Sequence, residues 1–393
     1  MIFRIFLVAA VVWAAGCTEP ADSAPAPMPA DQAGHYRVGV TTLDLSDAER
    51  DGRELVVEIW YPARPAPDAF SEIYDIEAGP LRLGTLDSPL GAVRDAEPDR
   101  RGGRRPVVLF SHGSGGTRLQ SIFLSERLAS HGMVVIAPDH TGNTLADFMF
   151  VEDPDLARSA VDRPQDLSFM IDQVVERTDQ VVPLLAGLLD SERIGASGHS
   201  FGGYTCLAVA GAELDLDAGR AYCAEHPDEV ACSLVDDFEP DQHSLSFHDP
   251  RVRTCVSLAP GGYQLLGEEG MSHVDVPTMI QAGDADETTR FELEAEPIYE
   301  ALGSPSWLAV IQGAGHFTFT DICLLVELYG EEAFEAVGAD VLTDGCSDDN
   351  IDVDVAHDLV MTLTTALFQL VLEGREDARA HIASGPDVEV RSR

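Results

Sequence analysis

The chain contains no lysine: all 25 of its basic residues are arginine, set against 68 acidic residues. This absence excludes chemistry that depends on a lysine amine, such as Walker A phosphate loops, Schiff-base catalysis and Ser-x-x-Lys nucleophiles. The formal net charge of -43 and the lack of a basic stripe also exclude a typical nucleic-acid-binding protein, because phosphates would be repelled. The acidic residues are expected to form a solvated surface.

Metal and cofactor signals are also missing. The sequence lacks a Cys-x-x-Cys motif and a closely spaced Cys/His set, which would indicate a zinc site. It also lacks the G-x-G-x-x-G fingerprint of a dinucleotide site. The acidic run 344–354 lacks the spacing of a calcium loop and is interpreted as a solvated loop. His243 and His248 are expected at the surface, whereas His112 and His199 are interpreted as structural. The sequence therefore predicts a protein without a metal or cofactor.

The N-terminus has the pattern of an export signal. One arginine precedes an apolar run over residues 5–16, which is too short to span a bilayer as a mature helix. The signal peptide is expected to cover residues 1–16, and the Ala-Ala-Gly-Cys ending at Cys17 resembles a bacterial lipobox. Residues 17–35 are rich in Pro, Ala and Asp and predict a flexible tether. The alternative is ordinary secretion with Cys17 as an incidental residue.

Export makes disulfide bonds the expected state of the remaining six cysteines. Two pairs flank short polar or acidic segments, and these are the predicted bridges: Cys223 with Cys232, and Cys323 with Cys346. Cys206 and Cys255 lie in apolar stretches that suit buried thiols instead.

Strand and helix patterns alternate along most of the chain, after an antiparallel lead-in near its start. This order predicts an α/β fold with a mostly parallel central sheet that is covered by helices on both faces. Residues 66–103 are predicted to be a loop-rich insertion, and 211–250 a small cap-like insertion. A long helix is predicted over 164–189, because the fixed φ of Pro164 suits a first helical turn.

A serine lies at one strand-to-helix junction, in the segment "RIGASGHSFGGYTC". Ser200 has Gly198 two positions before it and Gly202 two positions after it, as a strained nucleophile elbow requires. The G-x-S-x-G pattern is weak by itself, because a tight turn without chemistry gives the same letters. A serine nucleophile also needs a base, and the base needs an orienting acid.

The acid and the base are expected after later strands, in the chain order Ser, Asp, His. The strand "VPTMIQAG" is followed by Asp284 and Asp286, and the strand "WLAVIQG" by His316. We predict Asp286 as the acid, with Asp284 as the competing choice. Asp286 could instead cap a following helix, and His316 could be an ordinary surface histidine.

An oxyanion hole is expected from the loop "FSHGSGG" after the first buried strand. Acyl transfer needs two backbone N–H groups directed at the developing oxyanion, here predicted as those of Ser114 and Phe201. The alternative is a glycine-rich turn that binds nothing.

Four segments, "FSHGSGG", "SERLASHGMVVIAPDH", "GHSFGG" and "GAGHFTF", resemble the α/β-hydrolase family of plasma-type platelet-activating-factor acetylhydrolases and their bacterial relatives. They are also similar to dienelactone hydrolases and secreted polyester hydrolases. The resemblance implies an α/β-hydrolase catalytic domain over 36–375, followed by a polar tail over 376–393. It also implies a metal-independent serine esterase or lipase acting on short or oxidised acyl chains. A dienelactone substrate is disfavoured, since those enzymes have a cysteine where this chain has Ser200.

The sequence thus predicts an exported carboxylic-ester hydrolase, periplasmic or at the cell surface and tethered to a bacterial membrane through Cys17. Its expected partner is a small-molecule or lipid ester. The alternatives are a peptidase or acyltransferase on the same scaffold, or a non-catalytic binding protein with this fold. Acyl chain length and oligomeric state stay open.

Overall fold

The computed structural model describes residues 24–151, 155–227, 232, 235, 238–303, 305–335 and 340–393. The predicted signal peptide, residues 1–16, and the predicted lipid-anchor residue Cys17 lie outside the described residues.

The described strands and helices alternate over much of the chain, as the apolar pattern predicts. In chain order the strands are β1 Arg37–Asp47, β2 Arg53–Ala63, β3 Ile73–Ala78, β4 Leu81–Asp87, β5 Val93–Arg94, β6 Arg105–Ser111, β7 Val134–Pro138, β8 Leu189–His199, β9 Glu213–Asp215, β10 Ser244–Ser246, β11 Val252–Leu258, β12 Thr278–Gly283, β13 Ser306–Ile311 and β14 Val388–Ser392. The α-helices are α1 Ile122–Ser130, α2 Leu145–Phe150, α3 Leu156–Met170, α4 Thr178–Val181, α5 Phe201–Val209, α6 Leu216–Glu225, α7 Tyr263–Met271, α8 Ala295–Ala301, α9 Ile322–Tyr329, α10 Glu331–Glu335 and α11 Val353–Leu372.

A ten-stranded sheet forms the centre, in the order β14-β13-β12-β11-β8-β6-β7-β2-β1-β5. The strands from β13 to β7 pair in parallel, whereas β2 pairs antiparallel with β7 and with β1. Strands β6, β7, β12 and β13 are buried along their whole length, which requires cover on both faces. One apolar cluster includes residues of α1 and α11, and the other includes residues of α3, α5 and α8. The predicted mostly parallel α/β architecture is therefore confirmed.

The helix predicted to begin at Pro164 begins earlier. Helix α3 starts at Leu156, where the carboxylate of Asp155 accepts a hydrogen bond from the Arg158 amide, and Pro164 lies inside it. An internal proline leaves the carbonyl four residues before it without its usual donor. Here that carbonyl belongs to Ala160, and the Tyr204 hydroxyl donates to it at 2.9 Å. The helix tolerates Pro164 because a side chain from α5 replaces the lost donor.

The insertion over 66–103 contains regular structure that its composition concealed. Strands β3 and β4 form an antiparallel hairpin, and β5 pairs with β1. The hairpin is anchored to the body through Tyr74, whose hydroxyl donates to the buried Glu126 at 2.7 Å and accepts from Trp60 Nε1 at 2.9 Å.

The segments on either side of the predicted catalytic domain, residues 36–375, differ from their expected roles. Residues 28–34, called the N-terminal strap below, belong to the predicted flexible tether but are bound to the body. The carbonyl of Ala30, which is fully buried, accepts from Arg127, and the Gly34 amide donates to Ser130 Oγ at 2.9 Å. The predicted polar tail 376–393 supplies β14, an edge strand paired antiparallel with β13. Both segments are ordered because buried groups of the body bind them: Arg127 and Ser130 bind the strap, and β13 pairs with β14.

The cap-like region 211–250 contains α6 and a small two-stranded sheet of β9 and β10 within its described part. Helix α11 is long and apolar enough to cross a membrane by length and composition, but most of it is buried against the sheet. It is the core helix of this face.

Candidate active site

Ser200 lies at the turn between β8 and α5, in a backbone conformation that non-glycine residues rarely adopt, with φ 56° and ψ −119°. Its neighbours leave no room for side chains. A Cβ on Gly198 would lie 2.3 Å from the carbonyl oxygen of Gly202, and a Cβ on Gly202 would lie 1.9 Å from that of Ser111. The glycines are therefore a steric requirement of the turn that exposes Ser200, as the elbow interpretation predicts.

The acid and base follow β12 and β13, at the carboxyl edge of the same sheet. Nδ1 of His316 lies 2.9 Å from Oδ2 of Asp286, and both residues are buried, at 1% and 6% exposed. The competing acid, Asp284, is exposed and accepts a hydrogen bond from the Gly313 amide instead. Asp286 also accepts from the amide of Thr289, so it both binds the imidazole and closes a local turn.

Thr289 is a member of the site that the sequence analysis missed. Its hydroxyl donates to Asp286 Oδ2 at 2.8 Å and lies 3.0 Å from His316 Nδ1. The only sequence signal was its position three residues after an aspartate, where a backbone amide can donate to that carboxylate as it does at a helix N-cap. The contacts hold the imidazole with Nδ1–H toward Asp286, which leaves Nε2 free to accept a proton.

A buried hydrogen-bonded chain joins the base loop to the nucleophile and to the oxyanion loop. His199, next to Ser200, donates from Nε2 to the carbonyl of His316 at 2.9 Å. Its Nδ1 faces Gln120 Nε2 at 3.2 Å, and Gln120 Oε1 accepts from the Gly113 amide at 2.6 Å. Burial lowers the pKa of His199 well below its ordinary value, so the ring stays neutral and keeps this pattern of donors.

The peptide between Gly113 and Ser114 is held in one orientation. The Gly113 carbonyl accepts from the Gly116 amide at 3.1 Å and from His112 Nδ1 at 2.6 Å. Because N–H and C=O point in opposite directions across a trans peptide, these donors turn the Ser114 N–H away from them. His112, which the sequence suggested was structural, thereby orients one predicted oxyanion donor. Phe201, the other predicted donor, is the first residue of α5.

A polar cluster lies buried beneath the oxyanion loop. Asp166 Oδ2 is 2.9 Å from His140 Nδ1, and Ser111 Oγ is 2.9 Å from His140 Nε2. Arg163, fully buried, donates to Ser111 Oγ at 3.1 Å, to the His112 carbonyl and to a side chain of the neighbouring turn. Burial lowers the pKa of His140 to about 4, so at neutral pH its ring is uncharged. Sequence patterns gave no sign of this cluster, because its members are scattered over 56 positions, from 111 to 166.

An apolar pocket opens beside the predicted oxyanion loop. Ser114 and Gly116 form one wall, and the others come from the β3–β4 hairpin, α2 and α9, through side chains such as Ile76, Leu145 and Leu325. The volume open to the centre of a water molecule is about 50 Å³. This space suits a few carbon atoms rather than a long chain.

The structure pairs the cysteines as Cys223–Cys232 and Cys323–Cys346, the two bridges expected from the sequence. It also joins Cys206 of α5 to Cys255 of β11, with their Cα atoms 5.9 Å apart. The expectation of free buried thiols at these positions is therefore wrong. An apolar sequence context is compatible with both a free cysteine and a disulfide bond. Here the bond forms because α5 packs directly on β11.

The remaining polar candidates have local roles. His243 Nδ1 lies 2.9 Å from a carboxylate oxygen of Asp217, whereas His248 lines a polar surface cleft. In the acidic run 344–354, Asp344 accepts from the amide and hydroxyl of Thr288. Within the described ranges no group of three or more His, Cys, Asp or Glu side chains could hold a metal ion.

Comparison with known proteins gives relatives in two groups of esterases. Residues 81–183 match the family described as "Platelet-activating factor acetylhydrolase, isoform II". Cutinase 1 from Thermobifida cellulosilytica is 27% identical over 213 residues, which are 54% of this chain and 60% of the cutinase. A probable 1-alkyl-2-acetylglycerophosphocholine esterase from Arthroderma benhamiae is 30% identical over 134 residues, 34% of each chain.

The chain spans little more than half the length of the cutinases that it matches. Among solved structures, the ferulic acid esterase from Streptomyces cinnamoneus superposes with a TM-score of 0.65 at 21% identity, over 93% of this chain and 98% of that one. At this identity the superposition establishes the fold. The chain has the α/β-hydrolase fold and is similar in sequence to the platelet-activating-factor acetylhydrolase and cutinase groups.

Proposed function

We propose that the protein is a serine carboxylic-ester hydrolase that works through an acyl-enzyme intermediate. One observation carries the proposal: the Asp286–His316 pair, with Nδ1 committed to the carboxylate, is hydrogen-bonded through His199 to the turn that presents Ser200. The esterases among the similar proteins support the same chemistry.

The reaction uses each group in turn. His316 Nε2 takes the proton of Ser200 Oγ as that oxygen attacks the ester carbonyl, and Asp286 stabilises the imidazolium. The carbonyl oxygen, now an oxyanion, accepts from the N–H groups of Ser114 and Phe201. The C–O bond to the alcohol then breaks, and the imidazolium gives its proton to the leaving alkoxide. Water, deprotonated by the same imidazole, then attacks the acyl carbonyl. The C–O bond to Ser200 Oγ breaks, the acid leaves, and the imidazolium returns the proton to Oγ.

The pocket beside Ser114 supports short or modified acyl chains as substrates. Its open volume of about 50 Å³ is closed by apolar side chains, among them Leu325 of α9. With p-nitrophenyl esters, kcat/KM is expected to be highest from acetate to butyrate and to fall for longer chains. Leu325→Ala should move this optimum toward longer acyl groups, because Leu325 is a wall of the pocket.

The test of the mechanism is Ser200→Ala, assayed with p-nitrophenyl acetate and butyrate and with a fluorophosphonate probe that labels active serines. Turnover and labelling should both be lost while the circular dichroism spectrum is unchanged. Ser197→Ala is the matched control, because Ser197 lies on the same strand and its hydroxyl only donates to the Val256 carbonyl. Retained turnover in the Ser200 variant would remove this serine from the mechanism.

We also propose that the protein is exported and anchored to a bacterial membrane by a lipid at Cys17. The support is the signal-like sequence, the lipobox-like ending and three disulfide bonds, which suit an oxidising compartment. Mass spectrometry of the protein from its bacterial membrane fraction should show a lipidated N-terminal cysteine. If Cys17→Ala is distributed between the membrane and soluble fractions in the same way as the wild type, the proposed anchor is contradicted.

A further inference from the structure

Arg163 is a fully buried cation without a carboxylate partner among the described residues. Its guanidinium donates to the carbonyl of His112, to Ser111 Oγ and to Asn143 Oδ1, and it approaches the Gly113 carbonyl at 3.5 Å. All of these acceptors are uncharged. The two carboxylates nearest to it in sequence on α3 are bound by other groups. Asp162 accepts from Arg158 Nε at 2.7 Å and lies 3.3 Å from Arg53, and Asp166 is likewise hydrogen-bonded by other side chains.

The charge of Asp166 is balanced elsewhere. Its Oδ1 accepts from Arg50 at 2.6 Å and from Arg53 Nε at 2.8 Å, and its Oδ2 accepts from Arg53 and His140. Burying a cation costs several kcal/mol unless its surroundings compensate, so an unpaired buried arginine calls for a role. Burial lowers the pKa of Arg163, yet a guanidinium keeps its proton at neutral pH.

The position of the guanidinium suggests what that role is. On one side it lies against the Gly113 carbonyl, which belongs to the peptide that presents the Ser114 N–H. On the other side its Cζ is 4.9 Å from the centre of the Phe201 ring. Arg163 therefore contacts both segments that supply the predicted oxyanion donors, at the Gly113 carbonyl and at the Phe201 ring.

We propose that Arg163 is a positioning residue that fixes the two halves of the oxyanion hole and adds a buried positive charge behind them. The inference rests on the proposed ester hydrolysis. A charge in this low-dielectric place favours the oxyanion over the neutral ester carbonyl, because only the former carries negative charge. Its effect is therefore expected on kcat and on the affinity for charged tetrahedral adducts, and not on binding of the neutral substrate.

The test compares Arg163→Met with Arg105→Met. Arg105 is a matched control: it is also buried, donates to backbone carbonyls and lies 4.5 Å over the ring of Tyr36. It is, however, the first residue of β6, at the end of that strand away from the oxyanion loop. Four quantities are measured for each variant: kcat and KM for p-nitrophenyl acetate, the inhibition constant of a short-chain trifluoromethyl ketone, and the pKa of its hemiketal adduct by ¹⁹F NMR.

For Arg163→Met we expect kcat and the affinity for the trifluoromethyl ketone to fall together by roughly 10- to 100-fold, which is less than the roughly 100- to 1000-fold loss when a direct oxyanion-hole donor is removed. KM should change by less than about 3-fold, and the hemiketal pKa should rise by about 1 to 2 units for that same fold-change. Arg105→Met should leave kcat and ketone affinity within about 2-fold of the wild type, even if its melting temperature falls.

The outcomes separate the inference from the proposed function. A wild type that neither hydrolyses esters nor forms the adduct refutes the proposed function, and this inference with it. A wild-type-like ketone affinity and hemiketal pKa in Arg163→Met refute the inference alone. If Arg163→Met does not fold, Arg163→Lys and Arg163→Gln replace it: Lys should retain most of the ketone affinity and Gln should lose it, and equal affinities overturn the role of the charge.

Discussion

Thr289→Val isolates a hydroxyl that the triad pattern does not include. In the structure this hydroxyl donates to Oδ2 of Asp286 at 2.8 Å and lies 3.0 Å from Nδ1 of His316. Valine keeps the volume and the branched Cβ but removes both contacts and a third one, at 3.2 Å to the Ala259 carbonyl, while the Thr289 amide still donates to Asp286 Oδ1. The change thus removes one of the donors that hold the carboxylate.

The magnitude follows from the type of bond. A hydrogen bond to a charged group contributes about 1.5 to 3 kcal/mol, and removing its donor leaves part of a buried carboxylate unsatisfied. His316 still donates to Asp286, so we expect only part of this energy to be lost in the transition state, about 1.5 kcal/mol or roughly 10-fold in kcat/KM. The loss should fall on kcat with KM nearly constant, because the hydroxyl is directed at the acid and base rather than at substrate.

The assay is steady-state hydrolysis of p-nitrophenyl acetate by wild type, Thr289→Val and Thr289→Ser, with melting temperatures measured in parallel. Serine keeps the hydroxyl and is expected within about 3-fold of wild type, given that only a methyl group is lost. If Thr289→Val matches the wild type, the hydroxyl has no part in orienting the acid. If Ser and Val are equally impaired, packing of the methyl group and not the hydrogen bond explains the loss.

Two further predictions concern stability and the elbow. Asp321 accepts from the first amides of α1, and burial raises its pKa to about 7. The native protein therefore binds a proton at Asp321 more tightly than the unfolded chain does. As a result, the contribution of Asp321 to the free energy of unfolding falls as pH rises from about 4 to about 7 and is constant above pH 7. In urea unfolding, the free energy of unfolding of Asp321→Asn should rise relative to that of the wild type by up to about 4 kcal/mol between pH 4 and pH 8. A difference between the two proteins that does not change with pH would refute the raised pKa of Asp321. Gly202→Ala should lower the stability by about 1 to 3 kcal/mol and abolish turnover, since its Cβ would meet the Ser111 carbonyl oxygen at 1.9 Å. Gly385→Ala, where the nearest atom to the new Cβ lies at 3.7 Å, is the control and should retain activity and melting temperature.

Much of the fold could be predicted because its signals are local. Buried parallel strands appear as short apolar runs such as β6 and β12, and their order with helices between them defines an α/β sheet. Errors arose where distant partners decide the structure. Pro164 is tolerated inside α3 because Tyr204 replaces a donor, and β14 is ordered because β13 offers it an edge. Neither partner is visible in the residues beside it.

The residues of the site also fall into those that local sequence signals identify and those that depend on distant partners. Ser200 has a local sequence signature, because its turn leaves no space for a side chain at the glycines on both sides. Asp286 and His316 could be placed because each follows a recognisable strand, and the choice between Asp284 and Asp286 needed the three-dimensional distance to the imidazole. Gln120 and Arg163 could not be found, since their importance lies in the backbone carbonyls and amides that they contact.

The N-terminal strap determines which side of the molecule an N-terminal anchor would be attached to. The strap binds at Ser130, the last residue of α1, whereas the opposite end of that helix follows the oxyanion loop. Residue 24 lies beside Gly102, shortly before β6 begins, so the chain enters the described body at the amino-terminal edge of the sheet. From Cys17 to the strap the chain spans at most roughly 40 Å. A lipid at that cysteine would thus attach the molecule to the bilayer through the edge of the sheet opposite the edge that carries Ser200.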